Sequence, residues 1–171
     1  MWSPTLSQMS RSMMKQRLDS EPKVKTALEE VRGAALNLLV CREHSVLEMR
    51  YKLSRRGYDA AAIQAVLEAL IAEDLLNEHR YAELYACGRA DKGYGPLRLD
   101  RELRERGVPP EIIASVLAGL EEVWMPKLSE LQRKRFGNAA PRDSAERVRR
   151  IRFLRYRGFT PDQIRDLFQS S

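Results

Sequence analysis

Gly93–Leu117, GYGPLRLDRELRERGVPPEIIASVL, reads as a helix, a hard stop and a second helix. Leu99 and Leu103 stand four apart and so share one helical face. Gly95-Pro96 opens the first helix, with proline in the first turn, where its missing N–H costs nothing. Arg106-Gly107 closes it, because glycine takes the left-handed conformation that follows a helix end without strain. Val108 packs back, and Pro109-Pro110 starts the next helix, with Ile112, Ile113, Val116 and Leu117 as its apolar stripe.

The same arrangement occurs three times, around Gly57, Gly107 and Gly158. Four residues before each glycine is Leu53, Leu103 or Leu154; one before is Arg56, Arg106 or Arg157. One after is Tyr58, Val108 or Phe159, and six after is Ile63, Ile113 or Ile164. One leucine four residues before a glycine is a weak signal. Three copies in register at one period indicate an internal repeat.

Working outward, Val24–Cys41 keeps a helical period, and Ser45-Val46-Leu47-Glu48 has the form of a capping box. Asp59 is placed to cap a helix over Ala60–Ala72, and Asn77 one that runs to about Asp91. Glu122–Gly137 reads as a helix with a basic last turn, and Asp143 or Ser144 opens another that ends at Arg157. Thr160-Pro161-Asp162-Gln163 combines a capping box with a first-turn proline. No stretch alternates like a strand. The fold class predicted is all-α: three tandem three-helix repeats in an elongated array, straight or curved. The predicted boundaries are a disordered tail over 1–23 and repeats over 24–73, 74–121 and 122–171.

The 171 residues carry a net charge of +6, distributed unevenly. Residues 72–122 hold seven basic and eleven acidic groups, net −4, while residues 123–171 hold twelve and five, net +7. A basic end suits phosphate or an acidic protein surface. No apolar run reaches membrane-spanning length, and the first residues lack the apolar core of a signal peptide, so a cytoplasmic protein without a membrane partner is expected. Cys41 and Cys87 lack metal-ligand spacing and are read as buried small apolar residues; His44 and His79 are read as isolated surface or capping residues. No nucleophile–base constellation, metal motif or nucleotide loop occurs, so neither an enzyme nor a cofactor is expected.

Binding potential gathers in Asp143–Gly158, DSAERVRRIRFLRYRG, where six arginines follow Arg142. On a helical wheel Val148, Ile151 and Leu154 form one arc. Arg149, Arg150, Arg152, Phe153, Tyr156 and Arg157 fill the opposite one. Arginines interleaved with aromatics suit phosphate contacts plus stacking, and equally suit an acidic protein groove. The predicted partner-binding residues are Arg149, Arg150, Arg152, Tyr156, Arg157, Arg106 and Arg56. Two positions of the repeat register sit uneasily with this set: Arg147 occupies the position of Val46 and Pro96, and Arg150 that of Met49 and Leu99.

The ordered runs Arg42-Glu43-His44-Ser45, Lys92-Gly93-Tyr94-Gly95-Pro96, Lys134-Arg135-Phe136-Gly137 and Arg152–Phe159 together resemble the RecX family of recombination regulators, over roughly residues 27–168. The resemblance implies a non-enzymatic cytoplasmic protein that lodges in the groove of the RecA–DNA filament and inhibits RecA ATPase and strand exchange, and a monomer is expected. It also allows direct binding of single- or double-stranded DNA. The alternative is a DNA-binding protein of tandem helix-turn-helix-like repeats acting without RecA. A pure DNA binder should be basic throughout, and the acidic middle repeat argues for a protein partner there.

Overall fold

The structure, a computed structural model, describes residues 26–169; the tail over 1–23 and the start of the first helix at Val24 lie outside them. Among the described residues every regular element is an α-helix. The helices are α1 (26–41), α2 (Val46–Ser54), α3 (Ala60–Ala72), α4 (Glu78–Asp91), α5 (Pro96–Glu105), α6 (Pro110–Gly119), α7 (Glu121–Phe136), α8 (Ser144–Arg157) and α9 (Pro161–Gln169).

The repeated sequence positions are repeated structural positions. Leu53, Leu103 and Leu154 are each wholly buried, as are Ile63, Ile113 and Ile164 within a few per cent. Gly57, Gly107 and Gly158 all take positive φ, at 85°, 77° and 94°. The cap predictions at Asp59, Asn77, Asp143 and Thr160 hold as well. Asp59 accepts from the Ala61 and Ala62 N–H groups, Asn77 from Arg80, and Asp143 from Glu146. Thr160 and Gln163 bond reciprocally, at 3.0 and 3.2 Å. Each satisfies donors that a helix start leaves without an intrahelical acceptor.

Packing divides the chain into two compact units. One holds the described residues up to Arg42 together with Glu48–Leu76. Its buried side chains include Val31, Ala35, Met49, Leu53, Ile63, Leu67 and Leu70. The other holds Glu43–Leu47 and the chain from Asn77 onward. The short 43–47 segment joins the second unit through named contacts. Glu78 Oε1 accepts from the Val46 N–H at 2.7 Å, Arg80 Nε donates to Glu43 Oε1 at 2.5 Å, and a Cβ on Gly107 would lie 2.9 Å from that of Leu47. His44 is therefore a buried residue, not a surface one, and Ser45 is buried beside it.

Within the second unit two apolar clusters form. Tyr81, Ala82, Ala86 and Ala90 of α4 meet Leu99, Leu103, Ile113, Val116 and Trp124 in the first. Leu128, Leu154, Phe159, Ile164 and Leu167 make the second. Leu84 of α4 is 59% exposed. Cys41 and Cys87 are both exposed and unpaired, contrary to the expectation of burial.

Candidate functional site

The second and third repeats meet backbone to backbone. Gly95 N–H donates to the Arg157 carbonyl and Leu97 N–H to the Gly158 carbonyl, each at 2.9 Å. A Cβ on Gly158 would lie 2.4 Å from the Arg98 Cβ and 2.6 Å from its amide nitrogen. A Cβ on Gly95 would come within 2.6 Å of the Gly158 carbonyl. Only glycine at both places allows this approach, and the approach sets the C-terminal turn of α8 against the first turn of α5.

A cluster of arginines and tyrosines grows around that junction. The Tyr94 ring, in the turn after α4, carries the guanidinium of Arg89 at 3.7 Å, Arg98 at 4.5 Å and Arg157 at 4.9 Å from its centroid. Arg98 also lies 5.6 Å from the Tyr156 ring, which is 74% exposed, and Arg106 lies 4.4 Å from that of Tyr85. Glu102 anchors the set. It accepts from Arg89 Nε at 2.8 Å, Arg98 Nε at 2.9 Å and Tyr85 Oη at 2.7 Å. Burial alone would raise the Glu102 pKa, but the hydrogen bonds from Arg89, Arg98 and Tyr85 outweigh it and hold the carboxyl down at about 2. Burial, then donation to Glu102, pushes the Tyr85 hydroxyl up to about 12. Near neutral pH the cluster therefore holds four guanidiniums and one carboxylate. Their stacked faces hold the arginines in place, and such a surface attracts phosphates or carboxylates.

Of the residues predicted for binding, Arg106, Tyr156 and Arg157 lie in this cluster. Arg149 and Arg152 are exposed on α8. Arg56 belongs to the other unit, where it donates to the Ala34 carbonyl at 3.4 Å. The three glycine-flanking arginines share one habit, since Arg106 donates to the Glu102 carbonyl and Arg157 to that of Lys92.

Arg150 does not belong with the exposed arc. It is 2% exposed, donates to Glu146 Oε1 at 2.6 Å and to the Ala139 carbonyl at 2.9 Å, and lies 5.1 Å from the Phe136 ring. Val148, assigned to the inner arc, is 45% exposed. The physical reason lies in the stem. Arginine has enough methylene to line a core when its head finds acceptors at the edge. The repeat register, which equates Arg150 with Met49 and Leu99, identifies the inner face where hydrophobicity alone misassigns it.

Sequence reading missed Arg89, Tyr94, Arg98 and Glu102 as a site. The available signals were helical spacings, Tyr85–Arg89 and Arg98–Glu102, each four apart. Among the described residues no cluster of histidine, cysteine and carboxylate side chains could hold a metal ion, and no helix is long and apolar enough to cross a membrane.

Comparison with known proteins agrees with this architecture. Residues 32–70, 77–117 and 127–168 match family models described as the first, second and third three-helix domains of RecX. The regulatory protein RecX of Halorhodospira halophila is 45% identical over 139 residues, covering 81% of this chain and 86% of that protein. The one from Pseudomonas savastanoi pv. phaseolicola is 42% identical over 134 residues, covering 78% and 86%. The crystal structure of RecX from Lactobacillus salivarius superposes with a TM-score of 0.74 at 23% identity, over 85% of this chain and 97% of that one. Three consecutive domain matches, in the order and at the period of the internal repeat, place the chain in the RecX family of regulatory proteins.

Proposed function

We propose that this protein binds in the groove of the RecA–DNA filament and inhibits RecA ATP hydrolysis and strand exchange. It acts as a monomer in the cytoplasm, by binding and not by catalysis. The observation that carries the reading is the arginine–tyrosine cluster at the junction of the second and third repeats, cationic and fixed by Glu102. Arg149 and Arg152 extend it along α8, and Arg56 supplies a contact from the first repeat. Modest contacts made by several repeats to successive protomers of a filament add through effective concentration. The working divisions are 24–73, 74–121 and 122–171.

An exposed tyrosine beside arginines also suits a base of single-stranded DNA, which is the specific ground for a second reading in which DNA alone is the partner. The deciding measurement is RecA ATP hydrolysis on single-stranded DNA with this protein titrated in. Dose-dependent inhibition supports the filament reading. Undiminished hydrolysis together with tight binding to naked DNA transfers the site to the second.

A further inference from the structure

The third repeat packs unlike the first at one matched place. In the first, Arg50 of α2 donates through Nη2 to Gln64 Oε1 of α3 at 2.7 Å, a polar strap between the two helices. Counted from the turn glycine, the same positions in the third repeat are Ile151 on α8 and Arg165 on α9. The strap's donor has become an aliphatic side chain and its acceptor a guanidinium, so that bond cannot form. Arg165 turns instead to Asp162 on its own helix. In the second repeat the positions are Asp100 and Ala114, and Asp100 is engaged by Arg104 at 2.8 Å.

At that place a groove of about 300 Å³ lies between α8 and α9. Ile151, Ile164 and Phe168 form its floor, and Arg147, Arg155 and Arg165 its rim. Arg147 lies 5.5 Å from the centre of the Phe168 ring. Neither Arg147 nor Arg155 makes an ion pair among the described residues. Arg147, Ile151 and Arg155 follow one another at four-residue steps along one flank of α8. Arg157 stands on the other flank, across the buried Arg150–Leu154 stripe.

We propose that this groove docks an acidic peptide segment of a protein partner, with one aliphatic side chain seated on Ile151, Ile164 and Phe168 and carboxylates against Arg147 and Arg155. The volume is near the lower end of the roughly 300–1,000 Å³ typical of pockets, which suits one or two inserted side chains. Guanidinium forks match carboxylates in pairs, and charge complementarity requires an anionic occupant. The floor selects protein over nucleic acid. Bases stack on open aromatic faces, whereas two of the three floor residues are isoleucines and Arg147 lies over the third. The site is separate from the arginine–tyrosine cluster and does not depend on its partner.

The test uses the full chain and a short fluorescein-labelled peptide of aspartate and glutamate carrying two leucines four residues apart. Fluorescence anisotropy at physiological salt should show saturable binding. Arg147→Glu with Arg155→Glu should weaken it at least tenfold, and replacing the peptide's leucines by serine should weaken it comparably. The charge-matched control, Arg101→Glu with Arg104→Glu on α5, should leave it within twofold, and circular dichroism should show that each variant stays folded. Absence of binding overturns the proposal. So does equal binding of the serine peptide, or equal loss in the α5 control, since either reduces the effect to overall charge. If the α8 variant instead loses binding of a labelled oligothymidylate and keeps the peptide, the groove is a nucleic-acid surface.

Discussion

At the scale of single residues, Glu102 and Gly158 carry the most consequence. Glu102 is almost fully buried and satisfied by two arginines and a tyrosine, and its carboxyl is held at about 2 against an ordinary value of 4.5. A depressed carboxyl pKa contributes stability above the unfolded-state value, and that contribution is lost as pH falls through the folded-state value. We expect Glu102→Gln to cost roughly 3 kcal/mol at neutral pH. The gap from the parent protein should close between about pH 4.5 and 2. Urea denaturation of both proteins across that range checks it, and a gap independent of pH would deny Glu102 its role as a charged anchor. The glycines make a matched pair. Gly57 and Gly158 both have positive φ, but a Cβ meets nothing within 4 Å at the first and runs into the Arg98 backbone at the second. Gly57→Ala should cost about 1 kcal/mol, the strain of a left-handed alanine. Gly158→Ala should cost at least twice that, because backbone must shift and the α5–α8 junction opens. Chemical denaturation ranks the two directly, and equal costs would mean that the close approach is not required.

The helix is the scale at which α8 was misread and is best tested. A wheel built on hydrophobicity turned Val148 inward and Arg150 outward; the structure reverses both. Arg150 fills the place that Met49 and Leu99 fill elsewhere, its head satisfied by Glu146 and the Ala139 carbonyl. Replacing such a residue by an apolar one of similar length is often neutral or stabilising, while truncating it leaves a void and a stranded partner. Arg150→Met should therefore leave the melting temperature within a few degrees and partner affinity unchanged. Arg150→Ala should lower stability by about 2–3 kcal/mol. If Arg150→Met weakens partner binding while the protein stays as stable, the residue contributes to the interface after all. Helix boundaries, by contrast, were legible from local chemistry. Asp59, Asn77, Asp143 and the Thr160–Gln163 pair each cap the helix they precede, since a cap is an exchange between neighbours in sequence.

For the molecule as a whole, charge is the quantity that sequence order obscured. Residues 72–122 are net acidic, yet three of their arginines, Arg89, Arg98 and Arg106, gather with Arg157 over the rings of Tyr94 and Tyr85, and Glu102 bonds two of them through its carboxylate. A tally along the chain averages over this, because it cannot know which charges fold onto one surface. If the cluster and α8 meet a polyanion, Arg149, Arg152 and Arg157 together changed to alanine should weaken binding to the RecA–DNA filament. The slope of log affinity against log salt should fall by roughly 2. Anisotropy titrations over a series of salt concentrations measure both. An unchanged slope would remove these arginines from the contact.

Three like helical repeats, their turns, their caps and most of their buried leucines and isoleucines were determined by the sequence alone. Each depends on spacing along the chain, and helical spacing converts directly into a face. Tertiary structure decided what lies between elements: the backbone contact of Gly95 with Gly158, the gathering of arginines on Tyr94 and Glu102, and the burial of Arg150. Those arrangements join residues up to about 65 positions apart, as Lys92 and Arg157 are. Their partners become neighbours only once helices have packed, so no local rule could pair them.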